Sequence, residues 1–375
     1  MKRTDRSAPP RGPVRVLLDT GVRTGQSTGI GNYGKYLFRA LRQEKDGAVE
    51  AAWTDYDGGP SRTKARLKYL LHLHSAAYRR QLKQFDIVHY TNYAMPFRKV
   101  KGVRYVVTVH DLASFVCPET LPRNYGWYNR MMVRHALRRA DLVLTVSRSV
   151  QREIEQRFPK HRARVQAVYP GTYGEFSDAP VPEQYTAPAL QSLTPRSFFL
   201  FVGTVEARKN LGIALKAFLH LKDQQKAEGF RFVLAGKPGL GAEKIESLLR
   251  ESAGGKDVLL TGYLPSEDIR RLYAEAAAYV FPTKYEGFGS PQLECMENHL
   301  PLICSDIPTN REISGKIALF FPLEDQRTLE EQMGKVIRGE LDLEKYRAAA
   351  DAIWEKYRWD RLVSEYREAY GSLLR

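Results

Sequence analysis

Glu286 and Glu294, separated by seven residues, flank the turn Gly287-Phe288-Gly289-Ser290-Pro291. The turn follows an apolar run and opens a helical pattern, with Ser290 placed for the N-cap and Pro291 for the first helical position. Gly287 and Gly289 let backbone approach a ligand closely, and their N–H groups at a helix start suit a phosphate or sugar hydroxyls. Glu286 at the strand exit and Glu294 one turn into the helix are spaced to grip two polyol groups of one ligand. A second cluster is Gly203-Thr204-Val205-Glu206-Ala207-Arg208-Lys209-Asn210. Here a strand ends at Gly203, Asn210 is predicted to cap the next helix, and Arg208 and Lys209 beside a positive helix end would clamp a diphosphate. His110, followed by Asp111, ends the run RYVVTVHD and places an imidazole where strand ends meet ligands. His89 ends FDIVHY in the same way, and its role stays open between ligand contact and structure. After VRVLLDT come Gly21, Gly25, Gly29, Gly31 and Gly34, a turn that admits a dinucleotide, although no acidic ribose partner follows a second strand. Tyr33 and Tyr36, beside these glycines, read as packing residues.

Positioning these groups requires parallel sheets. The runs at 14–20, 85–90, 104–111, 141–147 and 164–170 are apolar on both faces and separated by helix-length segments, the pattern of a parallel sheet covered by helices. Residues 172–196 are rich in Pro and Gly and read as a linker. The alternation restarts at 197–203, 230–236, 257–262, 278–283, 300–306 and 317–322. The expected organisation is an α/β domain over 1–171, a linker over 172–196, a second α/β domain over 197–340, and helices over 341–375 that dock on one or both domains. Two Rossmann-like halves facing a cleft would present ligands to the carboxyl ends of their strands.

The segment PTKYEGFGSPQLECME resembles the E-x7-E signature of retaining GT-B glycosyltransferases of the GT4 type, and the match extends over nearly the whole chain. The resemblance implies a GT-B fold in which Glu286 and His110 face the donor sugar and Glu294 the ribose. By the same resemblance Gly29, Gly31, Arg208, Lys209, Gly287, Phe288, Gly289 and Ser290 surround the rest of the donor. GTVEARKNL is similar to the mannosyltransferase-like branch, with Ala207 in place of the usual proline. Thr204 stands where other branches carry an arginine, and His299 where the family has glycine. The implied activity is transfer of a hexose, mannose favoured, from a nucleotide sugar to a glycan or lipid-linked acceptor, as in cell-surface polysaccharide or O-antigen synthesis. GDP-mannose is the favoured donor, and no cofactor or metal is implied.

Composition agrees with a folded protein: 375 residues, 43% hydrophobic and 27% charged. No run is long enough to span a membrane, and Cys117, Cys295 and Cys304 have no metal-ligand spacing, so reduced thiols in a cytoplasmic protein are expected. A net charge of +15 favours polyanionic partners. Charge alone leaves a nucleic-acid-binding protein as a rival, and the glycine turn leaves an NAD-dependent oxidoreductase. Against the first, the sequence holds no nucleic-acid module, and the reading adopted has no nucleic-acid partner. The excess charge concentrates in 61–85, which holds seven Lys or Arg and no acid. Leu67, Leu70, Leu71, His74 and Tyr78 recur there at helical spacing, the pattern of one helix, with Arg62, Lys64, Arg66 and Lys68, lying peripherally on an anionic membrane.

Overall fold

A computed structural model describes residues 12–23, 29–44, 47–57, 62–172 and 180–375. The chain forms two compact units. The first comprises 1–115, 124–173 and 357–375, and the second 116–123 and 174–356.

The first unit is built on a parallel sheet of β1 (Val14–Arg23), β2 (Val49–Asp57), β3 (Ile87–Tyr90), β4 (Arg104–Val109), β5 (Leu142–Thr145) and β6 (Arg164–Ala167), in the order β2-β1-β3-β4-β5-β6. The second unit has β7 (Phe198–Val202), β8 (Arg231–Ala235), β9 (Val258–Gly262), β10 (Ala278–Phe281), β11 (Leu302–Ser305) and β12 (Leu319–Phe321), in the order β12-β11-β10-β7-β8-β9. In both units the strand order reverses beside the first strand, which opens a crevice at the carboxyl ends. Eleven of the twelve strands coincide with the apolar runs of the sequence. The exception is β2, VEAAWTDYD, an edge strand paired only with β1 and half-exposed, so it lacks the continuous apolar run of a buried strand.

Two expectations need correction. Part of the 172–196 stretch is packed: Tyr185 and Leu190 are buried in the second unit's core, and the fully buried Asp268 accepts hydrogen bonds from Thr186 N (2.7 Å), Thr186 Oγ1 (2.7 Å) and Ala187 N (3.1 Å). Residues 173–179 of that stretch, like Gly25 and Ser61, lie outside the described residues. The basic 61–85 segment is two helices, Arg62–Leu73 and Ala76–Leu82, because Ser75 Oγ caps the second through Tyr78 N at 3.1 Å. The buried side is Ala65, Tyr69 and Leu73, joined by Tyr78 and Leu82. Tyr69 (2.6 Å) and Tyr78 donate their hydroxyls to the carboxylate of buried Asp19 at the end of β1, which fixes that side inward. Leu67, Leu71 and His74 are left facing solvent.

The tail divides. Helix Leu343–Trp354 packs on the second unit, with Tyr346 donating to the Leu300 carbonyl at 2.7 Å, whereas helix Trp359–Gly371 belongs to the first. Trp359, Val363, Tyr366 and Tyr370 share a core with Val16, Leu18, Tyr33 and Leu37. Gly171 is obligatory beneath Trp359, since a Cβ there would stand 2.6 Å from the indole. All three cysteines are buried and none forms a disulfide.

His299 follows helix Pro291–Glu297 and Asn298 with φ of 51°, and its successor Leu300 N returns to Cys295 O at 2.8 Å, a Schellman closure normally made by glycine. A Cβ in the left-handed region is strained, so His299→Gly is expected to stabilise the second unit by about 1 kcal/mol, less the exposed 2.7 Å contact to Asp351. Urea unfolding checks this; a variant less stable than wild type contradicts it.

Candidate functional site

The second unit's chemistry gathers at the ends of β7 and β10. Gly203 and Gly236, just beyond β7 and β8, lie so close that a Cβ on Gly236 would sit 1.9 Å from the Gly203 carbonyl oxygen. The chain then makes a 3-10 turn, Ala207–Lys209, closed by Asn210 at φ 53°. Asn210 does not cap the following helix Leu211–Asp223; its amide donates to the Leu323 carbonyl at 3.5 Å. The left-handed residue separates Arg208 and Lys209 from that helix and turns them toward Glu286.

Lys209 Nζ lies 2.6 Å and Arg208 Nη1 3.0 Å from Glu286 Oε1, and Thr283 Oγ1 donates to the same oxygen at 3.0 Å. Arg208 also pairs with Glu206 at 2.8 Å and donates to the Tyr285 carbonyl at 2.8 Å. Lys284 N donates to Arg208 O at 2.9 Å and joins the two loops, and the Thr309 hydroxyl, on helix Pro308–Ser314, donates to Glu286 O at 2.8 Å. Burial of Glu286 would raise its pKa, but the charges of Lys209 and Arg208, with hydrogen bonds from Lys209 and Thr283, outweigh it and lower the carboxyl to about 2. Glu286 is therefore ionised, and in this state it is the counterion of both cations.

Gly287, Phe288 and Gly289 form a buried loop ahead of the short helix. Gly289 has φ of 82°, and a Cβ would meet Gln292 Nε2 at 2.5 Å, so this position requires glycine. Pro291 is the first helical residue, as the sequence suggests. Ser290, however, has helical torsions and its hydroxyl makes no capping bond. Loop closure falls instead to the fully buried Gln292, which donates to Phe288 O (3.2 Å) and Asn310 Oδ1 (3.1 Å). Glu294 accepts a hydrogen bond from the hydroxyl of Tyr273, which stacks on Tyr279.

His110, Gly29 and Gly31 lie in the first unit. Gly29 and Gly31 occupy the first turn of helix Gly29–Gln43. His110 Nε2 stands 2.7 Å from the Thr91 carbonyl, which can only accept, so Nε2 carries the hydrogen and Nδ1 keeps its lone pair. Burial lowers the His110 pKa, opposed by the Thr91 bond and Asp111. The ring is thus a neutral acceptor suited to a hydroxyl. Tyr33 packs edge-on against it at 4.9 Å, so Tyr33 is both core and site wall, while Tyr36 packs on the same core. His89 is structural: Nδ1 meets Tyr370 OH at 2.8 Å, Nε2 meets Thr108 Oγ1 at 2.7 Å, and burial followed by the nearby His110 lowers its pKa to about 3.

Thr283, Thr309, Gln292, Tyr273 and Thr91 were not singled out from sequence. Thr283, three residues before Glu286, and Gln292, four residues after Phe288, are local to the motif. Thr309, Tyr273 and Thr91 reach their partners across 19 to 23 positions of chain, and no spacing rule covers such separations.

The ionised Glu286 gives the second unit a definite acid response. Its folded pKa, about 2, lies below the ordinary 4.5, so its contribution is complete above pH 4.5 and disappears as pH falls toward 2. Wild type is expected to exceed Glu286→Gln in stability at neutral pH by on the order of 3 kcal/mol, the margin closing across that window. Urea titrations of both proteins from pH 7 to about pH 2 test it, and a margin independent of pH would refute it.

Comparison with known proteins places these features in a family. Residues 187–353 match the family described as Glycosyl transferases group 1, and residues 35–173 match Glycosyltransferase Family 4. The chain is 28% identical over 289 residues to O-antigen chain mannosyltransferase B of Escherichia coli, covering 76% of this chain and 74% of that protein. It is also 28% identical over 279 residues to the serotype-specific mannosyltransferase WbdA of Escherichia coli, covering 72% of this chain but 33% of that longer protein. Sucrose-phosphate synthase from Thermosynechococcus elongatus superposes with a TM-score of 0.70 at 17% identity, covering 96% of this chain and 99% of the other, which shows a shared fold. The two parallel six-stranded sheets are those of the GT-B fold, and the chain belongs to the group 1, family 4 glycosyltransferases.

Proposed function

We propose that the chain is a retaining, metal-independent hexosyltransferase that moves mannose from GDP-mannose to a glycan or lipid-linked saccharide, as in O-antigen or other cell-surface polysaccharide synthesis. The observation that carries this reading is the pairing of Arg208 and Lys209 with ionised Glu286 at the strand ends. A donor diphosphate would replace Glu286 as the partner of the two cations. They would then stabilise the charge that grows on the leaving diphosphate, and Glu286 would be free to accept from sugar hydroxyls. The bond from the anomeric carbon to phosphate breaks while the acceptor oxygen attacks the same face, and the acceptor's proton passes to the leaving phosphate. Neutral His110, with Nδ1 free to accept, would hold a hydroxyl of the sugar. The names of the mannosyltransferase relatives support mannose. Because such acceptors are built on lipid carriers, the reading also includes reversible contact with an anionic membrane from the cytoplasmic side. Among the described residues no helix is long and apolar enough to cross a membrane.

Thermal-shift screening against a nucleotide-sugar panel, followed by transfer assays, tests the donor. GDP-mannose at 100 times its dissociation constant is expected to add about 2.7 kcal/mol. A larger response to a UDP-hexose would reassign the donor, and no response to any would reject the site. Lys209→Ala and Glu294→Ala are expected to weaken donor binding tenfold or more, about 1.4 kcal/mol each. Glu286→Ala should chiefly lower turnover. Wild-type kinetics in both the Lys209 and Glu286 variants would refute the assignment.

Metal independence has its own measurement. Transfer should survive EDTA, and complete loss restored only by Mg²⁺ or Mn²⁺ would overturn that part of the mechanism.

A further inference from the structure

Among the described residues of the first unit, four large apolar side chains are substantially exposed: Leu67 (62%), Leu71 (67%), Phe97 (45%) and Trp127 (62%). They form one surface. Leu67 and Leu71 share a face of helix Arg62–Leu73, whose Arg66 guanidinium lies over the Tyr125 ring at 4.6 Å and so ties this helix to the next, Arg123–Arg139. His74 accepts from Phe97 N at 3.0 Å, and Phe97 packs edge-on against His135 at 4.9 Å. Beside it a surface pocket of about 510 Å³ opens between Phe97, Trp127 and Met131, rimmed by Arg134, Arg138 and Arg139.

The charge on this surface has one sign. Residues 62–85 carry seven Lys or Arg and residues 124–139 four Arg, with no Asp or Glu in either. Lys64 and Lys68 flank the two leucines on their helix and are exposed. Apolar tips ringed by cations, with no ion pair from Lys64, Lys68, Arg134, Arg138 or Arg139 to an acid among the described residues, match the layered chemistry of a bilayer surface, with acyl chains below and phosphates above. The buried side of the same segment is already satisfied by Asp19, Tyr69 and Tyr78, so the outward leucines are not a core turned the wrong way. A tryptophan with its ring in the open is the side chain favoured at such an interface.

We propose that this two-helix surface, Leu67, Leu71, Phe97 and Trp127 ringed by Lys64, Lys68, Arg134, Arg138 and Arg139, docks the first unit on an anionic lipid bilayer. The inference builds on the lipid-linked acceptor reading and names the face involved. Its occupant is the bilayer surface itself: the leucines and Trp127 enter the interface and the arginines meet lipid phosphates.

Sedimentation of the full chain with phosphatidylcholine vesicles, with and without phosphatidylglycerol, tests it. Wild type should bind only the anionic vesicles, more weakly as salt rises. Arg134→Ser/Arg138→Ser/Arg139→Ser should lower partitioning about a hundredfold, on a scale of about fivefold per basic residue. Leu67→Ser/Leu71→Ser should lower it at least about tenfold. Acyl-chain bromination should quench wild-type fluorescence but leave Trp127→Phe almost unquenched. Thermal shift with nucleotide sugar should be unchanged in every variant, which separates failure of docking from failure of the transferase reading. Equal binding to neutral vesicles, no binding by wild type at low salt, or quenching that survives Trp127→Phe would overturn the proposal. So would duplex DNA binding lost in the arginine variant without vesicle binding, or a dimer that the leucine variant dissociates.

Discussion

A buried carboxylate can stay ionised only where opposite charge and hydrogen bonds replace the water it has lost, and the second unit is arranged around meeting that condition at Glu286. Lys209, Arg208 and Thr283 supply three partners to one oxygen. Each comes from a loop that the sheet brings to its carboxyl end, so β7 and β10 must be neighbours for the cluster to exist. The close contact between Gly203 and Gly236 narrows the path of the first loop, and the left-handed Asn210 aims its cations. Removing Glu286 would leave Lys209, largely buried, without its carboxylate partner, whereas Arg208 would keep Glu206; the stranded charge costs more than the net value of the pair.

On the proposed reading the same cluster reconciles binding with release: a site already holding its own anion at Lys209 and Arg208 would exchange one negative partner for another when a diphosphate arrives. The loop geometry need not be rebuilt in the exchange, because Thr309, Gln292 and Tyr273 hold the backbone and Glu294 through groups that take no part in the ion pairs.

Sheet architecture was legible because parallel strands buried on both faces leave apolar runs that side-chain periodicity cannot disguise. Strand β2 escaped notice because a half-exposed edge has no such run. Glu286, Arg208 and Lys209 could be named from sequence since turn chemistry and charge are local. Their mutual contact could not, for it spans 77 positions. The two cap assignments failed for a common reason. Asn210 and Ser290 have capping chemistry, but tertiary demands on the backbone took precedence: a left-handed bend at one, a helical torsion before proline at the other. The basic segment was misread in part. Helical spacing put Tyr78 on the outward side with Leu67 and Leu71; those leucines do face out, but Asp19, 50 positions from Tyr69 and 59 from Tyr78, turns both tyrosines inward.

The last residues of the chain complete a unit begun by the first. Tyr370 bonds His89 across 281 positions, and through Thr108 and Tyr33 the contact continues to the ring of His110. Arg367 reaches Glu44 across 323 positions at 2.7 Å. Trp359 fills the space that Gly171 leaves, and Thr172 bonds the Tyr357 carbonyl at 2.7 Å, so exit from and return to the first unit are stitched at one place. His110 is held directly by Thr91 and Tyr33, and the final helix in turn packs against Tyr33 through Trp359 and Tyr366. The final helix is part of the first unit's core, and its tyrosines, which composition alone would assign to bulk packing, back the two residues next to His110 in this chain of contacts, Tyr33 through Tyr366 and His89 through Tyr370.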